Sequence, residues 1–338
     1  MLIGGKKMIK ILKKIIILII ASLFISMLTS GCTGEERGPV KRNLPEEGKR
    51  EEVKTPPIPE QLKKDRTVVV YKVDKGVKEE IEVEEYVAGV LGGEIHNDWP
   101  EEAIKAQAIL ARTFVMEFLT DKVSKYQGAD VSTDIKEAQA WDEKSVNDRL
   151  RKAVEDTSGM VAVYDGQYIK AWFHSHGGGK TALAKEGLNY EKEEPDYIHS
   201  VDSPESKEAP PEIAEWTAEF SKDKVLQAVR SLEKSISKLE TIQIGKKGAS
   251  GRAITLNISG QEVSATELRM ALDSTIFKST LITDINIKGD KVIIKGKGYG
   301  HGVGMSQWGA YAMAKEGKNA EEIIKHYFKD ISIVKLWD

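Results

Sequence analysis

The sequence predicts an α+β fold in which strands, hairpins and helices mix within one main domain. Three observations support this class. Short β-type segments meet at turn pairs such as Asp165-Gly166 and Gly289-Asp290. Helical patterns separate them, without the regular strand-helix-strand alternation that builds a parallel sheet. A composition of 40% hydrophobic and 30% charged residues suits a folded body in a chain of 338 residues.

The N-terminus has the pattern of an export signal. Five lysines precede an apolar run, Ile15–Leu28, and small residues follow it up to Cys32, the sole cysteine. The run is shorter than the roughly 20 apolar residues of a transmembrane helix, so residues 1–31 are predicted to form a signal peptide or an uncleaved signal anchor. Cys32 resembles the lipidation site of bacterial lipoproteins. Both alternatives place the rest of the chain outside the cytoplasm, anchored to the cell membrane.

Residues 32–66 are predicted to form a disordered tether, because Glu, Lys, Arg and Pro dominate and large apolar side chains are few. The folded domain is predicted over 67–338. Removal of residues 1–31 would change the formal net charge from −3 to about −8. Such a chain lacks the basic face that nucleic-acid binding requires, so nucleic acid is excluded as a partner.

The first half of the domain is predicted to combine two hairpins with helices. Strands over 67–73 and 77–83 flank a Gly-containing turn, and a short helix over 83–91 follows. A long helix then starts near Pro100, a residue favoured in the first helical turn. Its apolar residues recur at spacings of three and four and form a core-facing stripe: Ile104, Ala108, Ala111, Val115 and Phe118. A helix over 145–156 and a hairpin of 160–164 with 167–173 complete this half.

Residues 180–280 are predicted to form a more variable middle region, in which Pro-rich loops interrupt the pattern. Helices are expected near 212–220 and 222–232, and strands over 239–244 and 252–258. Ser264 and Glu267 have the spacing of a helix capping box. The remaining patterns predict a hairpin of 282–288 with 291–295, a glycine-rich segment, helices over 305–316 and 319–329, and a strand over 331–336.

Two segments carry residue types suited to chemistry. Glu94 follows two glycines that leave it unshielded and permit an unusual backbone, and its apolar neighbours would raise its pKa toward the range of a general acid. The alternative is a surface or capping carboxylate. Residues 298–309 place a histidine, a serine and a glutamine among glycines that allow close approach of a ligand. The alternative there is an ordinary strand-to-helix turn.

His174 and His176 end a predicted strand, where alternation places them on one face at a spacing compatible with two metal ligands. No third ligand is evident in the sequence, so histidines that serve as hydrogen-bonding groups are favoured. Ser175 points to the opposite face from His174, and a serine–histidine couple is not expected.

Three ordered segments resemble the stage II sporulation protein D and LytB amidase-enhancer family (SpoIID/LytB), over roughly residues 67–336. They are the stretch from Val83 through Glu94 to Thr113, the stretch Phe173-His174-Ser175 with Gly177-Gly178, and the stretch from Gly298 to Ala310 with Ile323–Phe328. Any one segment would be weak, and the ordered set is specific.

The resemblance implies a lytic transglycosylase that cleaves peptidoglycan glycan strands stripped of stem peptides, between N-acetylmuramic acid and N-acetylglucosamine, and leaves 1,6-anhydromuramic ends. Glu94 matches the family's catalytic acid. Contacts with the glycan are expected from Lys105, Gln107, Arg112, His174, Ser175, Tyr299, His301, Ser306 and Gln307. For Arg112, an ion pair with a nearby carboxylate is the alternative.

The resemblance also implies a role in engulfment during endospore formation, with a cell-wall amidase and a membrane protein as partners. A non-catalytic, glycan-binding enhancer of an amidase is the alternative that the LytB branch suggests.

One departure concerns metal binding. Some family members carry zinc ligands in a segment that matches Tyr126–Trp141, and the matching positions here are Tyr126, Ser132 and Ala138. None of these is a good zinc ligand. We therefore predict a member that uses neither a metal nor another cofactor. His176 stands where the family more often has Ser, and the charged stretch 186–194 matches the family poorly.

Overall fold

A computed structural model describes residues 53–337 of the chain. Helices mix with several sheets of two or three strands, which confirms the α+β prediction. The predicted signal segment, Cys32 and the first part of the predicted tether lie outside the described residues. Within the described part, no helix is long and apolar enough to cross a membrane.

The last residues of the predicted tether pack on the domain, which differs from the prediction. Pro56, Pro59 and Leu62 are buried, and Glu60–Leu62 forms a 3-10 turn. Leu62 belongs to a large hydrophobic core. Because the three buried residues are spaced three apart, they lie on one side of a chain that has about three residues per turn. The packed domain therefore includes residues before 67.

The domain starts with a hairpin and two helices. Strands β1 (Thr67–Lys72) and β2 (Val77–Glu82) pair in antiparallel fashion. Helix α1 (Val83–Glu94) follows β2 directly and extends beyond the predicted 83–91, so that Glu94 is its last residue. Helix α2 spans Glu101–Asp121.

Helix α2 is the central element of the packing. Ile104 and Val115 belong to one hydrophobic core, and Ile109 and Leu110 belong to a second core. A helix with apolar residues on all sides is expected in such a buried position. The predicted stripe is therefore confirmed as buried, and the opposite face of the helix is buried as well.

The remaining elements follow in chain order. They are β3 (Val131–Ser132), α3 (Asp148–Asp156), β4 (Met160–Tyr164), β5 (Gln167–Tyr168), β6 (Phe173–His174), α4 (Ala184–Gly187), α5 (Pro211–Ala214), β7 (Glu215–Ser221), α6 (Lys222–Ser231), β8 (Ile242–Ile244), β9 (Thr255–Ile258), β10 (Gln261–Ser264), α7 (Ala265–Leu272), β11 (Ile282–Lys288), β12 (Lys291–Lys297), β13 (Met305–Ser306), α8 (Gln307–Lys315), α9 (Ala320–Tyr327) and β14 (Ser332–Lys335).

The helix predicted near 212–220 is wrong. Only the turn α5 is helical there, and β7 follows it. Trp216, Ala218 and Phe220 are buried and alternate with exposed residues, which is the period of a strand with one buried face. Strand β7 pairs with β12, and the side chains of this middle region share a third hydrophobic core.

Two distant segments meet at a short parallel pair of strands. In β13 and β6, Met305 lies opposite Phe173, and Ser306 lies opposite His174. This pairing brings the glycine-rich segment beside the predicted histidine strand, close to the start of α8.

Candidate functional site

Glu94 is a half-buried carboxyl group at the end of α1. Its Oε1 accepts a hydrogen bond from the backbone N–H of Ala140 at 2.8 Å. Burial raises the pKa of Glu94 to about 7, and the Ala140 N–H acts in the opposite direction because it stabilises the ionised form. About half of the molecules therefore carry a proton on this group at neutral pH, as a general acid requires.

The glycines before Glu94 allow a second chain segment to approach α1 closely. A Cβ atom added at Gly93 would lie 2.6 Å from Trp141 N, and one at Gly92 would lie 2.2 Å from Asp142 O. The backbone of both glycines is helical, so the unusual backbone expected from the sequence is not present. Their small size instead lets residues 140–142 pack on α1, which brings the Ala140 N–H to Glu94.

Gln307 connects the glycine-rich segment to Glu94. Its Nε2 donates a hydrogen bond to the backbone oxygen of Glu94 at 2.9 Å and lies 3.4 Å from Gln107 Oε1. Both glutamines are at least nine-tenths buried. Of the residues predicted to contact a glycan, Gln107 and Gln307 are therefore the two that the structure brings to Glu94.

An aromatic cluster lies beside this site, and it was not predicted as a group. The ring centroids of Trp99 and Trp308 are 4.6 Å apart, and Tyr311 packs on both. His96 is exposed and lies 5.5 Å from the Trp99 ring. The backbone N–H of Trp308 donates to the backbone oxygen of Ser175 at 3.0 Å, which fixes α8 against the segment that contains His174 and His176.

His174 and His301 lie close together but bond to the backbone. The ring centroids are 5.6 Å apart. His174 Nδ1 donates to Val303 O at 3.1 Å, and His301 Nδ1 accepts from Val303 N at 3.0 Å. Burial lowers the pKa of His174 well below its ordinary value and that of His301 to about 3, so both are neutral at pH 7. These contacts fit the hydrogen-bonding interpretation of the histidines.

Ser306 is fully buried and caps a helix. Its hydroxyl accepts from the Gly309 N–H at 3.2 Å at the start of α8 and donates to Glu205 Oε2 at 2.9 Å. Glu205 Oε1 also accepts from the Gly177 N–H at 2.8 Å. This placement gives no support to a direct contact between Ser306 and a substrate.

Three further predicted residues have identified protein contacts. Arg112 is fully buried and pairs with Glu84 at 2.5 Å, which is the alternative given for it above. Lys105 pairs with three carboxylates, the nearest at 2.7 Å. Tyr299 is half-buried, and its backbone forms a bridge with His176.

Sequence reasoning missed two titratable groups that are largely shielded from water, Arg252 and Glu205, whose side chain is 10% exposed. Arg252 is fully buried and donates to Gly177 O at 2.6 Å and to Lys180 O at 2.7 Å. Neither residue belongs to a motif, and Glu205 is far along the chain from its partner Ser306. Only their burial identifies them.

The three positions that the family resemblance matches to zinc ligands carry side chains that do not fit a metal. Tyr126 donates its hydroxyl to Asp134 at 2.9 Å, the Ser132 side chain is buried, and Ala138 has no donor atom in its side chain. Over residues 53–337, no group of three or more His, Cys, Asp or Glu side chains could hold a metal ion.

The chain matches two sequence families. Residues 71–164 match the stage II sporulation protein family SpoIID, and residues 162–304 match a domain family of unknown function. An uncharacterized protein from Brachyspira hyodysenteriae is 33% identical over 76% of this chain and 68% of its own length. Stage II sporulation protein D of Bacillus amyloliquefaciens is 30% identical over 79% of this chain and 78% of its own length.

A third relative represents the other branch of the resemblance. The amidase enhancer of Bacillus subtilis is 29% identical over 71% of this chain, a match that covers 39% of the enhancer. The matched family and the relatives' names indicate a protein with a role related to the cell wall, and the α+β fold agrees with the fold predicted from the sequence. The chain belongs to the SpoIID/LytB family, as the sequence motifs predicted.

Proposed function

We propose that this protein is a peptidoglycan lytic transglycosylase that acts on glycan strands without stem peptides. The observation that carries the proposal is the state of Glu94: burial raises its pKa to about 7. Among the described residues, its side chain has one hydrogen-bond partner, the Ala140 N–H. The Glu94 carboxyl group is thus oriented by one hydrogen bond and can donate a proton near neutral pH.

The reaction needs one carboxyl group. Glu94 donates its proton to the glycosidic oxygen between N-acetylmuramic acid and N-acetylglucosamine, and the bond from that oxygen to C1 breaks. The C6 hydroxyl of the same muramic residue forms the new bond to C1 and gives its proton to the Glu94 carboxylate. The enzyme returns to its starting state, and the product has a 1,6-anhydro end. Because the nucleophile belongs to the substrate, neither a second carboxylate nor a bound water is required.

Neighbouring residues support this assignment by their position. Gln307 fixes the Glu94 backbone, and Gln107 lies beside it, so two amide groups line the surroundings of the acid. His96 is exposed beside this site, and its ring packs on Trp99, which is buried with Trp308.

A non-catalytic enhancer of a cell-wall amidase is the second candidate. The relative named amidase enhancer favours it. In either case we propose that the protein is exported and anchored at the cell membrane through Cys32 or an uncleaved N-terminal helix. A role in sporulation engulfment, with an amidase and a membrane protein as partners, belongs to the same proposal.

Digestion of peptide-free glycan strands separates the two candidates. Wild-type protein and Glu94→Gln are incubated with the strands, and anhydro-ended fragments are measured by mass spectrometry. We expect wild type to produce them and Glu94→Gln to be at least about 100-fold slower, as for loss of a general acid. The substituted amide still accepts the Ala140 hydrogen bond, so the fold is retained.

A parallel incubation with a cell-wall amidase tests the enhancer. If wild type yields no anhydro ends and still accelerates the amidase, the transglycosylase proposal is rejected in favour of the enhancer.

A further inference from the structure

Asp134 is the centre of the loop that follows α2. Its Oδ2 accepts hydrogen bonds from Lys125 Nζ at 2.6 Å and from the Tyr126 hydroxyl at 2.9 Å. Its Oδ1 accepts from the Lys136 N–H at 2.8 Å. The side chain is 18% exposed, so these bonds are partly shielded from water.

Three residues of the same loop, Tyr126, Ser132 and Ala138, also bond to Asp134. Tyr126 donates through its hydroxyl, Ser132 Oγ accepts from the Asp134 N–H at 3.2 Å, and the Ala138 N–H donates to Asp134 O at 2.8 Å. Of these three bonds, the one to Tyr126 uses the Asp134 carboxylate, and the other two use the Asp134 backbone.

The same loop reaches Glu94 within two residues of Ala138. Gln139 is 4% exposed, and the next residue, Ala140, donates its N–H to Glu94 Oε1. Glu137 accepts from Ser124 Oγ and from the Lys125 N–H, which ties the two ends of the loop together.

The buried phenol of Tyr86 lies near both the loop and the site, and its hydroxyl has no hydrogen-bond partner among the described residues. Tyr86 is fully buried, and burial together with the nearby charges of Glu137 and Glu94 raises its pKa. The Glu137 carboxylate of the loop and the Glu94 carboxyl group therefore lie near the same side chain, that of Tyr86.

We propose that Asp134 is a positioning residue whose carboxylate holds the loop of residues 124–140, so that Ala140 covers and orients the Glu94 carboxyl group. Its catalytic consequence rests on the proposed function of Glu94. Its structural consequence, the environment of that carboxyl group, does not depend on what the protein cleaves.

The test compares Asp134→Asn and Asp134→Ala with wild type. Asp134→Asn keeps the backbone bonds and removes the charge that pairs with Lys125. The titration of Glu94 is followed by the 13C shift of its carboxyl carbon, assigned by comparison with Glu94→Gln. In wild type we expect the midpoint near pH 7, and in both Asp134 variants a lower midpoint, because a loosened loop admits water and burial is the main cause of the raised pKa.

Kinetics add a readout that a purely structural role would not change. A midpoint near pH 6 leaves about one tenth of the acid protonated at pH 7, so kcat should fall about fivefold while KM stays within about twofold. Glu219→Gln is the matched control, since it removes an ion pair of 2.8 Å with Lys291 on the β7–β12 sheet, within a different hydrophobic core. That variant should leave the Glu94 midpoint and kcat unchanged.

The outcomes separate the two proposals. A folded Asp134→Asn whose Glu94 midpoint and kcat equal those of wild type overturns the positioning role. If wild type cleaves no glycan but the Asp134 variants still shift the Glu94 midpoint, the positioning role stands and the transglycosylase proposal fails.

Discussion

Glu94 and Glu205 are two carboxyl groups in which burial raises the pKa, and they lie in different settings. Glu94 ends a helix, is half-buried and accepts one hydrogen bond among the described residues. Glu205 accepts from the Gly177 N–H and from the Ser306 hydroxyl, and His176 Nε2 lies 3.7 Å away.

The difference shows that a raised pKa alone does not identify a catalytic acid. Glu205 uses both carboxyl oxygens to accept hydrogen bonds from the segments of Gly177 and Ser306. It therefore joins three parts of the chain and has a structural role. Glu94 accepts one hydrogen bond among the described residues, so most of its acceptor positions are unused, and it lies two residues from the exposed His96. Hydrogen-bond use, together with access, distinguishes the two groups where the pKa does not.

The largest expected difference between the two carboxyls, apart from the loss of cleavage in Glu94→Gln, is in stability. Glu205→Ala removes the acceptor of the buried Ser306 hydroxyl and the nearer acceptor of the Gly177 N–H, and it should lower the free energy of unfolding by about 2 kcal/mol. Urea unfolding at pH 7 measures this. Glu205→Gln, which keeps one acceptor, should lose less. An unchanged stability in Glu205→Ala would remove the structural side of the comparison.

Two histidines, His176 beside Glu205 and His301 beside His174, should make the fold acid-sensitive. Burial lowers the pKa of His176 to about 4 and that of His301 to about 3. Because these values lie below the unfolded value, the stability is fully present above about pH 6.5 and is lost as pH falls toward the folded values. Between pH 7 and pH 5, each of the two histidines should lower the free energy of unfolding by roughly 1–2 kcal/mol.

Urea unfolding of His301→Gln at pH 7 and pH 5 measures the part of this loss that is due to His301. His96→Gln, at an exposed position, is the control. If His301→Gln loses as much stability between pH 7 and pH 5 as wild type does, the buried imidazole is not responsible.

The smallest effect is expected at Lys105. Its ion pairs with Glu101, Glu102 and Asp156 involve partly exposed side chains, so Lys105→Met should change stability by less than about 1 kcal/mol. Glycan cleavage should stay within about twofold of wild type if these pairs are its role. A rise in KM of tenfold or more would instead support the substrate contact that the family resemblance implies.

The sequence predicts the local features of the site better than its long-range contacts. Helix α2 follows from the periodicity of its apolar residues, and the motif around Glu94 is continuous along the chain, although the helix predicted over 83–91 ends three residues before Glu94. Glu205 and Asp134 could not be identified in this way, because their roles depend on partners that only the folded chain brings together.

Two errors have a physical origin that the sequence partly contains. The alternation of Trp216, Ala218 and Phe220 has the period of a strand, although the segment was predicted as a helix. Pro56, Pro59 and Leu62 were assigned to the tether because charged residues surround them, yet three buried side chains were enough to dock that stretch on the domain.

The most direct test of the central claim is the pH dependence of glycan cleavage by wild-type protein. If Glu94 acts as a general acid with a pKa of about 7, kcat/KM should be level below about pH 6, drop to about half at pH 7 and fall about tenfold for each pH unit above about pH 8. A rate that stays constant or rises from pH 7 to pH 9 would contradict a protonated Glu94 as the catalytic group.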